Sequence, residues 1–266
     1  MMDEYGLMEF SDRFRDTRQL ERDYLLNLLL HEIYSVFANE LVFKGGTALK
    51  YFYSLNRVSE DADFSYVPSA AVPDRKSLEE KMNTVLKNFS SQYQIMETEH
   101  RTSKLRDRII GINFEIRVKG PFNARSKQLQ NMKIDISLRD DLIDKPDIKY
   151  LSPIYPDLAT FSVPVMQIDE ILSEKLSAIV ERTKMRDVYD TYYLLVVRNV
   201  RYDEKLLKEK MRRRNESFDK ERLVKKLEDA KDRMKWRSEL AYIVNQLPDN
   251  LKVVSELEEA MGIVHD

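Results

Sequence analysis

Two aspartates two residues apart, Asp61 and Asp63, sit in the segment DADFSY. On an extended strand residues i and i+2 point to the same face, so the pair presents two carboxylates side by side. Like charges about 4 Å apart repel by about 4 kcal/mol at an effective dielectric of 20. A divalent cation removes that repulsion, and hard oxygen ligands favour Mg2+ bridging to substrate phosphates. D-x-D also occurs on solvated strand ends, so it needs a context. Gly45-Gly46-Thr47, upstream of the pair, supplies one. Glycines let backbone N–H groups approach a phosphate, and a following helix N-terminus adds a favourable dipole and a hydroxyl donor. The segment is neither a G-x-x-x-x-G-K-[ST] loop nor a G-x-G-x-x-G turn, and by itself Gly-Gly is also a plain turn.

A third region, EILSEKLSAIVERTKMRDVYDTYYLL over 170–195, carries Lys175 and Asp190. Lys175 is suited to neutralising triphosphate charge and Asp190 to orienting it. In the plainer view Ile171, Leu172, Leu176, Ile179 and Val180 are a core stripe, and Arg186 with Asp190 an ordinary i,i+4 surface pair. On an unbroken helix Lys175 and Asp190 would stand about 22 Å apart. Their cooperation therefore predicts a bend near Thr183–Met185.

The elements that must position these residues follow from periodicity. Leu26, Leu29, Leu30, Ile33, Val36 and Phe37 recur at helical steps, which predicts a largely buried helix from about Arg18 to Asn39. A short strand at 41–43, a turn at 44–47, a helix from Thr47 to about Ser54 capped by the threonine, and a strand from Asp61 to Tyr66 come next. Pro68 and the Ser/Ala/Pro loop to Asp74 end that strand. A helix over 75–90 leads to strands at 93–99 and 108–118. In the latter Ile110, Ile112, Phe114, Ile116 and Val118 alternate with smaller or polar residues. Met132–Leu138 repeats the alternation and turns Asp135 away from the core. Four prolines, at 146, 153, 156 and 164, mark 146–164 as a connection between halves. Beyond it only helices are expected, over 169–182, 186–197, 202–214, 217–232, 236–247 and 251–262. There is no internal repeat.

Composition narrows the chemistry. The 266 residues suit one large domain or two small ones. With 44 Lys plus Arg against 46 Asp plus Glu, a global polycation for nucleic acid or membrane is excluded, and any basic surface must be local. The absence of Cys removes disulfides, thiolate nucleophiles and Cys-containing metal sites. His31, His100 and His265 are too scattered for a His-rich site, so any metal must use oxygen ligands. The acidic N-terminal stretch has no apolar core of a signal peptide, and YLLNLLL at 24–30 is far short of the roughly 20 residues that span a bilayer. A cytoplasmic protein without membrane contact is expected.

Together LVFKGGTALKYFYSLNRVSEDADFSY, the KIDIS strand at 133–137 and EKLSAIVERTKMRDVYDTYYLL resemble the AbiEii/MenT family of nucleotidyltransferase toxins, from abortive-infection and toxin–antitoxin systems. The resemblance implies an α+β fold, a DNA-polymerase-β-like nucleotidyltransferase core with a small mixed sheet over 1–160. An all-helical domain over 161–266 would follow and contribute to the active cleft. It implies that Gly45, Gly46 and Thr47 lie at the nucleotide phosphates, that Asp61 and Asp63 hold Mg2+, and that Lys175 and Asp190 match the family's downstream pair. Asp135 suits the third carboxylate, which binds a second metal or accepts the proton of the attacking hydroxyl. Arg57 and Ser59 belong to the same R-x-S-x-D-x-D context, Arg57 with two roles open, a phosphate contact or a buried pair with a neighbouring acid. Relatives transfer a nucleotide from an NTP, releasing pyrophosphate, to the 3′ acceptor end of tRNA, which blocks translation, and are neutralised by a cognate antitoxin.

An RNA acceptor calls for a local basic surface. Over 201–237 there are 15 Lys plus Arg and 9 Asp plus Glu, and Lys208, Lys210, Arg212, Arg213 and Arg214 could track its phosphates. A solvated helix face is the other account of the same residues. Two rival functions remain: a nucleotidyltransferase acting on a protein or small-molecule acceptor, and a catalytically idle nucleotide- or partner-binding module.

Overall fold

The computed structural model describes residues 2–68, 75–106, 108–139, 142–182 and 184–263. The loop expected over 69–74 lies outside them. A short helix α1 (Glu4–Met8) leads to α2 (Thr17–Phe37), N-capped by Asp16, whose carboxylate accepts the Gln19 N–H. Leucines and aromatics crowd every side of α2, so it is buried all round rather than amphipathic. Its polar residues are buried with partners. Glu21 accepts the Phe122 N–H and the Gln130 amide, and the Tyr155 hydroxyl donates to Asp23.

Seven strands form one mixed sheet: β1 (Leu41–Lys44), β2 (Asp61–Tyr66), β3 (Ile95–Leu105), β4 (Arg108–Val118), β5 (Gln130–Ser137), β6 (Asp147–Leu151) and β7 (Phe161–Val165). Their order is β3-β4-β5-β2-β1-β7-β6. β2 runs antiparallel to β1 and parallel to β5, while β4 is antiparallel to both β3 and β5. Helix α3 (Gly45–Tyr53) follows β1 without an intervening turn, and α4 (Arg75–Ser90) packs on α2. The apolar face carries Phe43, Phe64, Ile134 and Ile136, with Tyr34 of α2 edge-on to Phe64. A short helix α5 (Asn123–Ser126) joins β4 to β5.

The Pro-punctuated stretch 146–164 is not a bare connection, because β6 and β7 lie in it. Pro146, Pro153 and Pro156 fall outside those strands, and Pro164 sits in the five-residue β7, beside β1 in parallel register at Phe43 and Val165. β7 lies between β1 and β6, so Pro164 leaves the sheet one ladder N–H short there.

Chain contacts divide the molecule into two units, and the division is not a single cut. The first comprises Met1–Ala48, Glu60–Arg139 and Ile148–Val165; the second comprises Leu49–Ser59, Asp140–Asp147 and Met166–Asp266. The second is built from α6 (Ile168–Arg182), α7 (Met185–Tyr192) with a π-helical turn over Tyr193–Val197, α8 (Glu204–Arg213), α9 (Lys220–Glu228), α10 (Arg233–Leu240) and α11 (Asn250–Ala260). Asp203, Asp219, Asp232 and Asp249 cap α8 to α11, each accepting main-chain N–H groups of the first turn. α6 packs against α7, α8 and α9; Lys184, extended before α7 begins at Met185, breaks the helix as the Lys175–Asp190 spacing requires, while Thr183 of the expected bend lies outside the described residues.

Candidate active site

Gly45 sets the geometry at the end of β1. Its φ of +72° is left-handed, and a Cβ built on it would stand 2.3 Å from Asp63 Oδ2. Only glycine lets the backbone enter α3 this close to the carboxylate. Helix α3 begins at Gly45 itself, so Thr47 is inside the helix and is not its cap. Fully buried, Thr47 turns its hydroxyl toward β2 and donates to the Asp61 carbonyl at 2.5 Å. Gly46 is buried beside it.

Asp61 and Asp63 are both half-buried and alternate with the buried Ala62 and Phe64, so they share the face opposite the core. In parallel register Asp63 is level with Asp135 of β5, and Asp61 with Lys133. Asn113 of β4 stands beside Asp135 in turn. Asp135 is exposed on the face turned away from the core, and partial desolvation of its carboxyl group by the neighbouring strands raises its pKa; a hydrogen bond from Asn113 and the charge of Lys44 oppose the shift, and Asp61 adds to it. Lys44, which the sequence placed in a turn, is the buried last residue of β1 in register with Asp63. Such cross-strand Cβ atoms are roughly 4.5–5.5 Å apart, so an ammonium side chain borders the acidic face.

A second cluster forms within the helical unit. Arg57 is fixed by a bridge to Val244 and by the Val58 N–H bond to Ile243. Its guanidinium grips Asp190 through Nε at 2.5 Å and Nη2 at 2.6 Å. Lys175 Nζ lies 2.7 Å from the same carboxylate and 3.2 Å from Asp187, and Arg182 also donates to Asp187. Asp187 and Asp190 have no exposed surface. Asp190 therefore does not belong to a surface pair with Arg186. Of the two roles open to Arg57, the structure shows the buried pair, with an acid distant in sequence. Burial by itself would lower the Lys175 pKa, but Asp190 and Asp187 outweigh it and raise the value. Burial would likewise raise that of Asp190, but Lys175 and Arg57 hold it below the usual range. Ser59 is half-buried two residues before Asp61.

The five basic residues of α8 and its end do not form one surface. Lys210 is fully buried between Glu170 and Glu174, and Arg214 is 11% exposed against Glu174. Arg213 donates to Glu209 and to the Leu142 carbonyl. Lys208 and Arg212 remain exposed, paired with Glu204 and Glu209. Lys210 and Arg214 thus brace the helical unit and leave the nucleic-acid expectation with fewer cations than the count promised. A count of basic residues alone does not reveal that acids on α6 would bury Lys210 and Arg214.

The family profile described as nucleotidyl transferase AbiEii toxin, type IV TA system, matches residues 27–262. The chain belongs to the AbiEii family. It is a nucleotidyltransferase toxin of a type IV toxin–antitoxin system, which implies an NTP substrate and an antitoxin partner. Solved structures share the fold. MenT4, a nucleotidyltransferase toxin from Mycobacterium tuberculosis H37Rv, is 16% identical with a TM-score of 0.62, over 99% of this chain and 89% of that one. JHP933 from Helicobacter pylori is 23% identical with a TM-score of 0.55, over 93% and 92% of the two chains. A putative nucleotidyltransferase from H. pylori is 21% identical with a TM-score of 0.52, over 94% and 100%. A search of the curated proteins returned no match. Among the described residues of this AbiEii chain, no helix is long and apolar enough to cross a membrane.

The sequence pointed to Asp61, Asp63, Asp135, Arg57, Lys175 and Asp190 but passed over Asp187 and Lys44. Asp187 was legible in principle, because it lies three residues before Asp190 and shares its helix face.

Proposed function

We propose that this AbiEii toxin is Mg2+-dependent and transfers a nucleotide from an NTP to the 3′ acceptor end of tRNA, blocking translation, in the setting of abortive infection in the cytoplasm. The observation that carries the metal assignment is the shared face of Asp61 and Asp63, with Asp135 in register beside Asp63. The donor set is all carboxylate oxygen, which fits Mg2+. Among the described residues no group of three or more acidic or His side chains is spaced to hold one ion. Two protein carboxylates completed by substrate phosphate and water are the usual Mg2+ arrangement. Bound there, the metal would lower the charge on the attacking and leaving oxygens.

The chain's own residues supply the rest. The Gly45-Gly46 entry to α3 receives the phosphates, and Gly45 keeps Asp63 in place. Thr47 fixes the main chain at Asp61. The raised pKa of Asp135 suits it to accept the proton of the incoming hydroxyl. Lys175, kept charged by its two carboxylates, offsets charge on the departing pyrophosphate. Lys208 and Arg212 are exposed, as are Arg201, Lys205, Lys220, Arg222, Lys225, Arg233 and Arg237 of the basic segment, and these cations support an RNA acceptor.

The test is incubation of the protein with each of four α-labelled NTPs, Mg2+ and total tRNA, beside Asp61→Ala. Label on tRNA that is absent with the variant is expected. Metal-dependent label on a protein or small molecule instead would overturn the tRNA assignment, and NTP binding without transfer to any acceptor would favour the idle module.

A further inference from the structure

We propose that Asp187 is a positioning residue for Lys175, clamping the ammonium opposite Asp190 so that its remaining N–H is presented, charged and fixed, to an anionic oxygen of the nucleotide. The proposal rests on the phosphate role given to Lys175 above. Its basis is a chain of five alternating charges: Arg57, Asp190, Lys175, Asp187 and Arg182. An ammonium has three N–H donors. Two of them serve Asp190 at 2.7 Å and Asp187 at 3.2 Å, and the side chain keeps 11% of its surface exposed. A lysine bonded only to Asp190 could swing about its four-carbon stem; one held from two sides loses that freedom before substrate arrives. The two acids approach from α7 while Lys175 sits on α6, so the break after Arg182 folds Asp187 back toward it.

Asp187 is a costly residue to keep for structure alone. It has no exposed surface, and desolvating a carboxylate is expensive even when, as here, Lys175 and Arg182 pair with it. With three cations and two carboxylates, the cluster retains one positive charge of the sign a triphosphate attracts. The other groups around Lys175 are accounted for. Arg57 faces it from 49–59 and Tyr189 flanks Asp190 on α7, while from α8 Lys210 and Arg214 are taken up by Glu170 and Glu174 on neighbouring turns of α6. The negative charges that hold Lys175 protonated are those of Asp190 and Asp187, with Arg57 opposing them.

The test follows labelled-NTP transfer to tRNA, together with calorimetric titration of Mg-ATP, from pH 7 to 10 for the wild type, Asp187→Asn, Asp187→Glu and Lys175→Met. Asparagine keeps the shape and removes the charge. It is expected to bring an alkaline loss of both transfer and binding into this range, where the wild type, with its Lys175 pKa raised, stays flat, because losing a nearby opposite charge lowers a lysine pKa by about 1–3 units. Asp187→Glu restores the charge and is expected to return the profile to its flat wild-type form. A flat profile in Asp187→Asn, with transfer merely reduced, would mean a structural role and would overturn the proposal. Should the asparagine variant fail to fold, Asp187→Glu carries the test at neutral pH: transfer about tenfold lower at an unchanged melting temperature supports positioning, and wild-type transfer refutes it. Lys175→Met separates the two levels. If it binds and transfers like the wild type, the phosphate role of Lys175 is lost and this proposal with it; if it is impaired while Asp187→Asn titrates as wild type, only Asp187 is lost.

Discussion

Replacing Gly45 by alanine asks a single methyl group to enter a space already filled by Asp63. The added Cβ would stand 2.3 Å from Oδ2 and 2.9 Å from Cγ, whereas ordinary contacts begin near 3.4 Å. Either the carboxylate or the start of α3 must move by about 1 Å, a displacement that costs about 100-fold in rate when it occurs at reacting groups. The left-handed φ of +72° adds about 1–2 kcal/mol of backbone strain for a residue with a side chain. A melting temperature lower by a few degrees is therefore expected, with turnover lower by about two orders of magnitude. The comparison that isolates the site is Gly120→Ala. Its Cβ would stand 2.4 Å from Glu21 Oε1, an equally severe clash with a buried carboxylate that serves only Phe122 and Gln130. Both variants should lose stability in thermal melts, but turnover per folded molecule should fall only in Gly45→Ala. Equal loss in the two, or wild-type turnover in Gly45→Ala, would refute the idea that Gly45 exists to place Asp63.

Asp190→Asn breaks a buried pair with Arg57 and Lys175 and should cost about 3–5 kcal/mol in urea unfolding. Because the folded pKa of Asp190 is lowered, its stabilisation is present above the unfolded value of about 3.9 and is lost as pH falls through the folded value, so wild type and variant should converge in acid. Asp135 has the opposite sign. Its raised folded pKa means that its charged form costs stability once pH rises past that value, but the side chain is exposed and solvent screens the cost, so metal-free Asp135→Asn should melt only slightly above the wild type at pH 7, the gap closing below about pH 4. Thr47→Val removes the hydroxyl bond to the Asp61 carbonyl and should cost about 1–3 kcal/mol by thermal melt, whereas Thr47→Ser should restore most of it.

Much of the fold was legible because its signals are local. The alternation in 108–118 gave β4, and the apolar steps after Arg18 gave α2, though its full burial comes from α4 and the sheet rather than from its own pattern. β6 and β7 were hidden by their brevity and by Pro164. Lys44 looked like part of a Gly turn because nothing local shows that Gly45 can begin a helix with a positive φ. The acidic strand could be read at 61–63, but the register that puts Asp135 level with Asp63 is a long-range property of parallel pairing. The Lys175–Asp190 distance did predict the helix break. Which acids bury Lys210, and that Arg57 reaches Asp190, depend on contacts that no periodicity encodes.

The most direct test of the central claim, metal-assisted nucleotidyl transfer on the Asp61–Asp63 face, is pyrophosphate release from NTP in the presence of tRNA, with Mg2+ and after chelation. Wild type, Asp61→Asn and Asp63→Asn would be compared at matched folded concentration. Release by the wild type that stops on chelation and returns with Mg2+, and that falls at least about 1,000-fold in each variant, is the predicted result. Release that survives chelation, or a variant within tenfold of the wild type, would contradict it.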